Sequence, residues 1–193
     1  MKKLRYLLPA LALLLFACDT DDDGFYNAVY VQAAGLMTIE NPSATYNAGD
    51  VVLVEAHIPR LLPEAGQSEL LDVRATTGAN SFQFSFFLEK LNGSQWELVD
   101  VTGNFVAGTD GSANVGFFVQ GFLEFDGVAD EYLFDGGVRV MQPGTYRLNF
   151  SNNTDDFEKV FLRSNSPGNN LVMNIFSSSP SLDETGVFEF TVN

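Results

Sequence analysis

The sequence predicts an all-β fold, an antiparallel β-sandwich of about nine to eleven strands, and three observations carry that prediction. From Phe25 onward no window sustains apolar residues at three- and four-residue spacing, so no amphipathic helix is expected. Short runs of alternating apolar and polar residues recur instead, at the period that puts successive side chains on opposite faces of a strand. Clusters of Gly, Asn, Asp, Ser and Pro separate these runs and supply the turns. That many short strands exceed one small open sheet and call for two packed layers.

In chain order, strands are expected over 26–33, 51–58, 70–75, 82–89, 95–98, 113–125, 138–141, 145–150, 159–163, 171–176 and 187–192. The clearest puts Phe82, Phe84, Phe86 and Leu88 on one face, with Gln83, Ser85, Phe87 and Glu89 on the other. Its partner carries Trp96 and Leu98. A two-residue Asn92-Gly93 turn would set Leu88 opposite Glu97 and mismatch the faces. The expectation is therefore a three-residue loop of Leu91, Asn92 and Gly93, with Gly93 left-handed. That loop pairs Leu88 with Trp96 and Phe86 with Leu98, which sends Trp96 into the core. Asp110-Gly111, Asp126-Gly127 and Asp135-Gly136-Gly137 read as turns, and 60–69 and 177–181 as surface loops. No internal repeat or second domain boundary interrupts 25–193, which reads as a single domain.

Composition narrows the partners. Ten basic residues against 25 acidic ones give a formal charge of −15, which repels nucleic-acid phosphates and anionic headgroups from the folded part. One cysteine and one histidine leave neither a disulfide framework nor a Cys/His cage for zinc.

The leader has its own logic. Lys2, Lys3 and Arg5 precede an apolar run over 7–16, shorter than the roughly 20 residues that span a bilayer as a helix. Residues 1–17 read as a signal peptide. The run ends in Leu15-Phe16-Ala17-Cys18, which resembles the lipobox of bacterial lipoproteins. The resemblance implies cleavage after Ala17 and a diacylglyceryl group on the Cys18 thiol, a covalent lipid and the one prosthetic group expected. Acyl chains contribute roughly 0.8 kcal/mol per buried CH₂, so two or three moor a soluble domain firmly. Cleavage would remove Lys2, Lys3 and Arg5 from the ten basic residues, leaving 7 against 25 acidic ones and a formal charge of −18.

Residues 18–24 form an acidic tether, Asp19-Thr20-Asp21-Asp22-Asp23-Gly24 following the cysteine. It resembles the acidic export signal of surface-exposed lipoproteins in some Gram-negative lineages, which implies an outer-membrane lipoprotein displayed on the cell surface. The same stretch opens like a calcium loop, with Asp19, Asp21 and Asp23 as donors, but Tyr30 stands at the twelfth position, where a bidentate Glu belongs. The tether is the preferred reading.

Pro143-Gly144-Thr145-Tyr146-Arg147-Leu148 resembles the late strand of immunoglobulin-like and fibronectin-type-III-like sandwiches. The resemblance implies a hydrogen bond from Tyr146 back to the chain, with Leu148 and Phe150 in the core. No Cys…Trp…Cys pattern accompanies it, and a jelly roll stands as the alternative.

Few residues invite chemistry. His57 shares a strand face with Glu55, but no nucleophile elbow accompanies the pair, so a solvated or hydrogen-bonded structural histidine is expected. Glu124, amid Phe122, Leu123 and Phe125, is the acid most open to partial desolvation, and its plainer reading is an outward residue near a strand end. Val115, Phe117, Val119, Leu123 and Phe125 fall on one face of 113–125, and Phe118 and Phe122 on the other. Phe87 also points outward. Either loops or a neighbouring subunit cover Phe87, Phe118 and Phe122, or these rings form a platform for a sugar or protein. The functional expectation is a non-enzymatic binding or scaffolding domain whose partners are the membrane, through lipid, and an envelope protein or glycan. A glycan-binding module of an uptake system and a two-carboxylate glycan hydrolase are the alternatives.

Overall fold

The computed structural model describes residues 27–64, 66–151, 159–168 and 170–193. Cys18, the leader, the tether and the calcium candidates Asp19, Asp21 and Asp23 lie outside these residues. The described chain is all-β, with sixteen strands and one short helix.

Strand β7, Ser81–Asn92, organises the molecule, because its two halves belong to different sheets. In its first half Phe82, Phe84 and Phe86 stand opposite Leu123, Gly121 and Val119 of β11, Val119–Asp126. In its second half Leu88 stands opposite Leu148 of β13, Gly144–Asn149. The inward face is Phe82, Phe84, Phe86 and Leu88, each buried, as the alternation predicts.

Around β7 the larger sheet runs β1 (Ala28–Ala34), β15 (Val172–Ser178), β14 (Val160–Ser164), β7, β11, β12 (Glu131–Arg139), β4 (Val51–Pro59) and β2 (Met37–Glu40). Two short strands join its path: β9 (Phe105–Ala107) pairs with β12, and β10 (Ser112–Val115) with β11. The second sheet runs β8 (Gln95–Leu98), β7, β13, β16 (Val187–Val192) and β3 (Thr45–Tyr46). Only β1 with β15 and β16 with β3 pair in parallel among the described pairings, and both join segments remote in sequence, as parallel neighbours must.

Both sheets contribute to one core. Three edge or tilted ring contacts tie it together: Phe82 on Tyr132 at 5.0 Å, Phe84 on Phe134 at 5.1 Å and Phe86 on Phe150 at 5.2 Å. Each such ring removes a large apolar area from water and adds a directional contact. At the sandwich edge the Tyr146 hydroxyl donates to the Gln142 carbonyl at 2.9 Å, with Leu148 and Phe150 buried beside it.

The structure corrects several local expectations. Strand β7 runs on to Asn92, so the hairpin turns over Gly93-Ser94, with Gly93 at φ +63°, and Leu91 rather than Leu88 faces Trp96. Trp96 therefore leaves the core and lies on the outer face beneath Arg147, at 4.4 Å from the guanidinium to the ring. The matched apolar face that the sequence offered is supplied by this stack instead. Residues 113–125 form two strands, β10 and β11, folded back at Gly116-Phe117-Phe118 with Val115 opposite Val119. Phe117 thereby sits at a hairpin tip, exposed rather than inward.

Asp135-Gly136-Gly137 is no turn but the middle of β12. Glycine is needed there for close approach: a Cβ on Gly136 would meet the Phe105 ring at 2.9 Å, and one on Gly137 would collide with the Val52 carbonyl. The expected loop 60–69 contains β5 (Leu61–Leu62), which pairs with β6 (Leu71–Asp72) just beyond it. The strand expected over 70–75 gives way after Asp72 to helix α1, Val73–Thr77. Asp72 caps it, accepting from the Ala75 N–H at 2.9 Å, and Gly78 closes it at φ +61°. One turn of helix is too short to show a periodicity, although its Asp and Gly caps are present in the sequence.

Asp183 shapes the entry into β16 by accepting from Thr185 and from the Val187 N–H. Its carboxyl is held below the ordinary value: burial opposes this, but the Thr185 hydroxyl and the Val187 and Thr185 N–H groups outweigh it, with Arg147 adding attraction.

Three variants test the packing and the Asp183 turn. Phe86→Ala should destabilise by about 3–5 kcal/mol in urea titration, and Tyr146→Phe by about 1 kcal/mol. The Asp183 carboxylate stabilises fully above the ordinary value near 3.8, and that contribution is lost as pH falls through its lowered folded value. Asp183→Asn should therefore flatten the acid limb of a stability-versus-pH curve.

Candidate functional site

The outward side of β7, β10 and β11 carries the residues singled out by sequence, and their register decides what they can do. Phe122 stands opposite Gln83 on one side and Ser112 on the other, and Gln120 stands opposite Ser85 and Asn114. A stripe of amides results. Asn114 donates to Gln120 at 3.4 Å, and Gln120 donates to Gln83 at 3.2 Å.

This stripe divides the expected platform. Phe87 and Phe118 meet on one side of it, ring centroids 6.0 Å apart and tilted by 48°, with Phe118 exposed and Phe87 half-buried. Phe122, also half-buried, lies on the other side. The three rings do not form one flat surface, and the Phe87–Phe118 pair is too tilted to grip a sugar as two coplanar rings would.

Phe122 instead lines an open cleft of about 520 Å³ together with Arg74, Asn80, Ser81, Ser112, Glu124 and Phe125. A chain of ring contacts anchors this cleft to the core. Phe82 packs edge-on against Tyr132 at 5.0 Å, Tyr132 against Phe125 at 5.0 Å, and the Arg74 guanidinium lies 3.8 Å from the Phe125 centroid. The Tyr132 hydroxyl donates to the Ala79 carbonyl at 2.8 Å and so ties the end of α1 to β12; burial pushes that hydroxyl above its ordinary value. Arg74 is thus presented from a capped helical turn, stacked and pre-oriented, with guanidinium donors free of any ion pair among the described residues.

Glu124 is exposed rather than partly desolvated, because it lies on the wet side of β11 opposite Ser81, where the Ser112 hydroxyl donates to it at 2.7 Å. The cleft therefore presents a cation, a carboxylate, hydroxyls, an amide and two rings, the mixture that orients a polar ligand with an apolar face.

His57 is half-exposed on β4, two strands from β11, and its Nδ1 lies 3.7 Å from Glu131 Oε2. Its partner is thus Glu131 across the sheet and not Glu55, which stands opposite Asp135. Such an exposed pair contributes about 0–1 kcal/mol. No group of three His, Cys, Asp or Glu residues is gathered for a metal among the described residues.

Sequence reasoning missed Arg74, Asn80 and the outer aromatic row of Tyr30, Phe176 and Phe161. Tyr30 is 68% exposed and lies 6.2 Å from Phe176, which lies 5.5 Å from Phe161. The alternation of Phe161 and Phe176 against Leu162 and Ile175 held the signal for the row. Nothing local marks Arg74, whose place depends on the packing of Phe125.

No family model matches the chain, and no curated protein matches it. Among solved structures, the crystal structure of the human F-spondin reeler domain (fragment 1) is similar over 88% of this chain and 97% of that one, at 9% identity and a TM-score of 0.38.

Proposed function

We propose that this chain is a non-enzymatic binding domain, moored through lipid on Cys18 to the outer membrane and displayed at the cell surface, with the cleft at Phe122 as its recognition site. The observation that carries the binding role is the stacked Arg74 guanidinium facing a cleft that also holds Phe122 and the exposed Glu124 carboxylate. The lipobox-like Leu15-Phe16-Ala17-Cys18 and the acidic run after it support the mooring and the display.

Glycan capture is the ligand reading that the cleft favours. A half-buried ring takes the apolar face of a pyranose, while Arg74, Glu124, Asn80 and Ser112 are donors and acceptors suited to its hydroxyls. Hydrolysis is disfavoured, because it needs two carboxyl groups across the scissile bond and Glu124 is the one carboxylate lining this cleft among the described residues.

Two measurements check the proposal separately. Cys18→Ser should abolish palmitate labelling and release the protein from the membrane fraction; persistent labelling sinks the anchor. On an array of envelope and plant oligosaccharides, Phe122→Ala and Arg74→Ala should each weaken binding by about tenfold or more, the equivalent of 1.4 kcal/mol. Binding that survives both substitutions excludes this cleft.

A further inference from the structure

We propose that a second cleft, between β8 and the turn joining β12 to β13, binds a small organic monoanion through Lys90 and Arg139. This site shares no lining residue with the cleft at Phe122 and does not depend on the glycan reading. Its volume is about 330 Å³, and its lining includes Leu88, Leu98, Met141 and Tyr146 beside the two cations and the carboxylate of Asp100. That size lies at the small end of ligand pockets, which span roughly 300–1,000 Å³.

The distribution of charge points to an anion. The sequence beyond the leader has 7 basic residues, those of the ten other than Lys2, Lys3 and Arg5, against 25 acidic ones, yet two of the seven line this one cleft. Neither makes an ion pair among the described residues, whereas Arg60 and Arg147 both do.

Lys90 is also held in place. Gly144, at φ +147°, leaves room for its chain, since a Cβ there would lie 2.8 Å from Lys90 Cε. The Lys90 ammonium stands 5.2 Å above the Tyr146 ring and donates to Gln142 Oε1 at 3.4 Å, which leaves donors to spare. Arg139 is braced by donation to the Gly49 carbonyl at 2.8 Å, with the rest of its fork unused by any side chain among the described residues.

One acid, Asp100, lines the cleft beside the two cations, and Glu97 stands on the strand facing Lys90. Glu97, opposite Lys90, accepts from Asn92 at 3.0 Å, and Asp100 accepts from the Thr102 N–H and hydroxyl at 2.9 and 2.6 Å. With Asp100 offsetting one of the two cations, the lining carries a single net positive charge, which suits one carboxylate rather than a dianion, and the exposed Leu98 and Met141 favour a ligand with an apolar body.

The test uses the full chain purified in detergent, with benzoate as the probe and benzamide as its neutral counterpart, followed by calorimetric titration. Saturable benzoate binding at least tenfold tighter than that of benzamide, weakened at least tenfold by Lys90→Met and by Arg139→Gln, supports the site. Both substituted side chains are surface groups, and emission from Trp96 reports whether each variant stays folded. Equal affinity for benzoate and benzamide, or affinity unchanged in folded Lys90→Met and Arg139→Gln, overturns it. So does loss of benzoate binding in Arg74→Ala alone, which would move the anion to the other cleft.

Discussion

Both sheets hang on one strand. Phe82, Phe84 and Phe86 of β7 pack within the larger sheet while Leu88, on the same face, continues into the smaller one, so a single row of apolar side chains is common to both layers. A substitution that turned β7 by one residue would exchange this row for Gln83, Ser85, Phe87 and Glu89, and would empty both halves of the core together. The adjoining strands are short and many. They gain their stability from packing against β7 and its neighbours rather than from their own length.

The same row reaches the surface in one direction. From Phe82 the contact passes to Tyr132, then to Phe125 and to Arg74, and each member is positioned by the ring behind it. A guanidinium held this way presents its donors at little cost in side-chain freedom, which is how a rigid scaffold serves recognition. On the opposite edge Arg147 does a structural task with the same chemistry. It donates to Glu89 at 2.6 Å and covers Trp96, so it closes a face that would otherwise leave an indole open to water.

The use of cations explains much of this acidic protein. Arg60 pairs with Asp72 and Asp130 beside α1, and Arg147 pairs with Glu89 across two strands. Arg74, Lys90 and Arg139 make no ion pair among the described residues, and each lines a cleft. Arg74 stacks on the Phe125 ring instead, and Lys90 stands over the Tyr146 ring with its chain against Gly144. Those surroundings are what make the two clefts candidates for binding.

Alternation is a property of neighbouring residues, so the all-β class, the inward row of β7 and the bounds of β16 at Val187–Val192 are legible in the sequence, while the burial of Leu148 and Phe150 is what the resemblance of 143–148 to a late sandwich strand implies. The remaining features come from packing, because register and cover depend on residues far along the chain. Trp96 alternates like a core residue, yet β7 extends far enough to turn it outward under Arg147. Gly136 and Gly137 look like a turn, yet Phe105 and Val52 press so closely that only glycine fits within the strand. Phe87, Phe118 and Phe122 share one side of the sheet in the sequence pattern, yet the amide stripe through Gln83 and Gln120 separates them. Arg74 carries no local sign of its position, since the ring that fixes it lies on another strand.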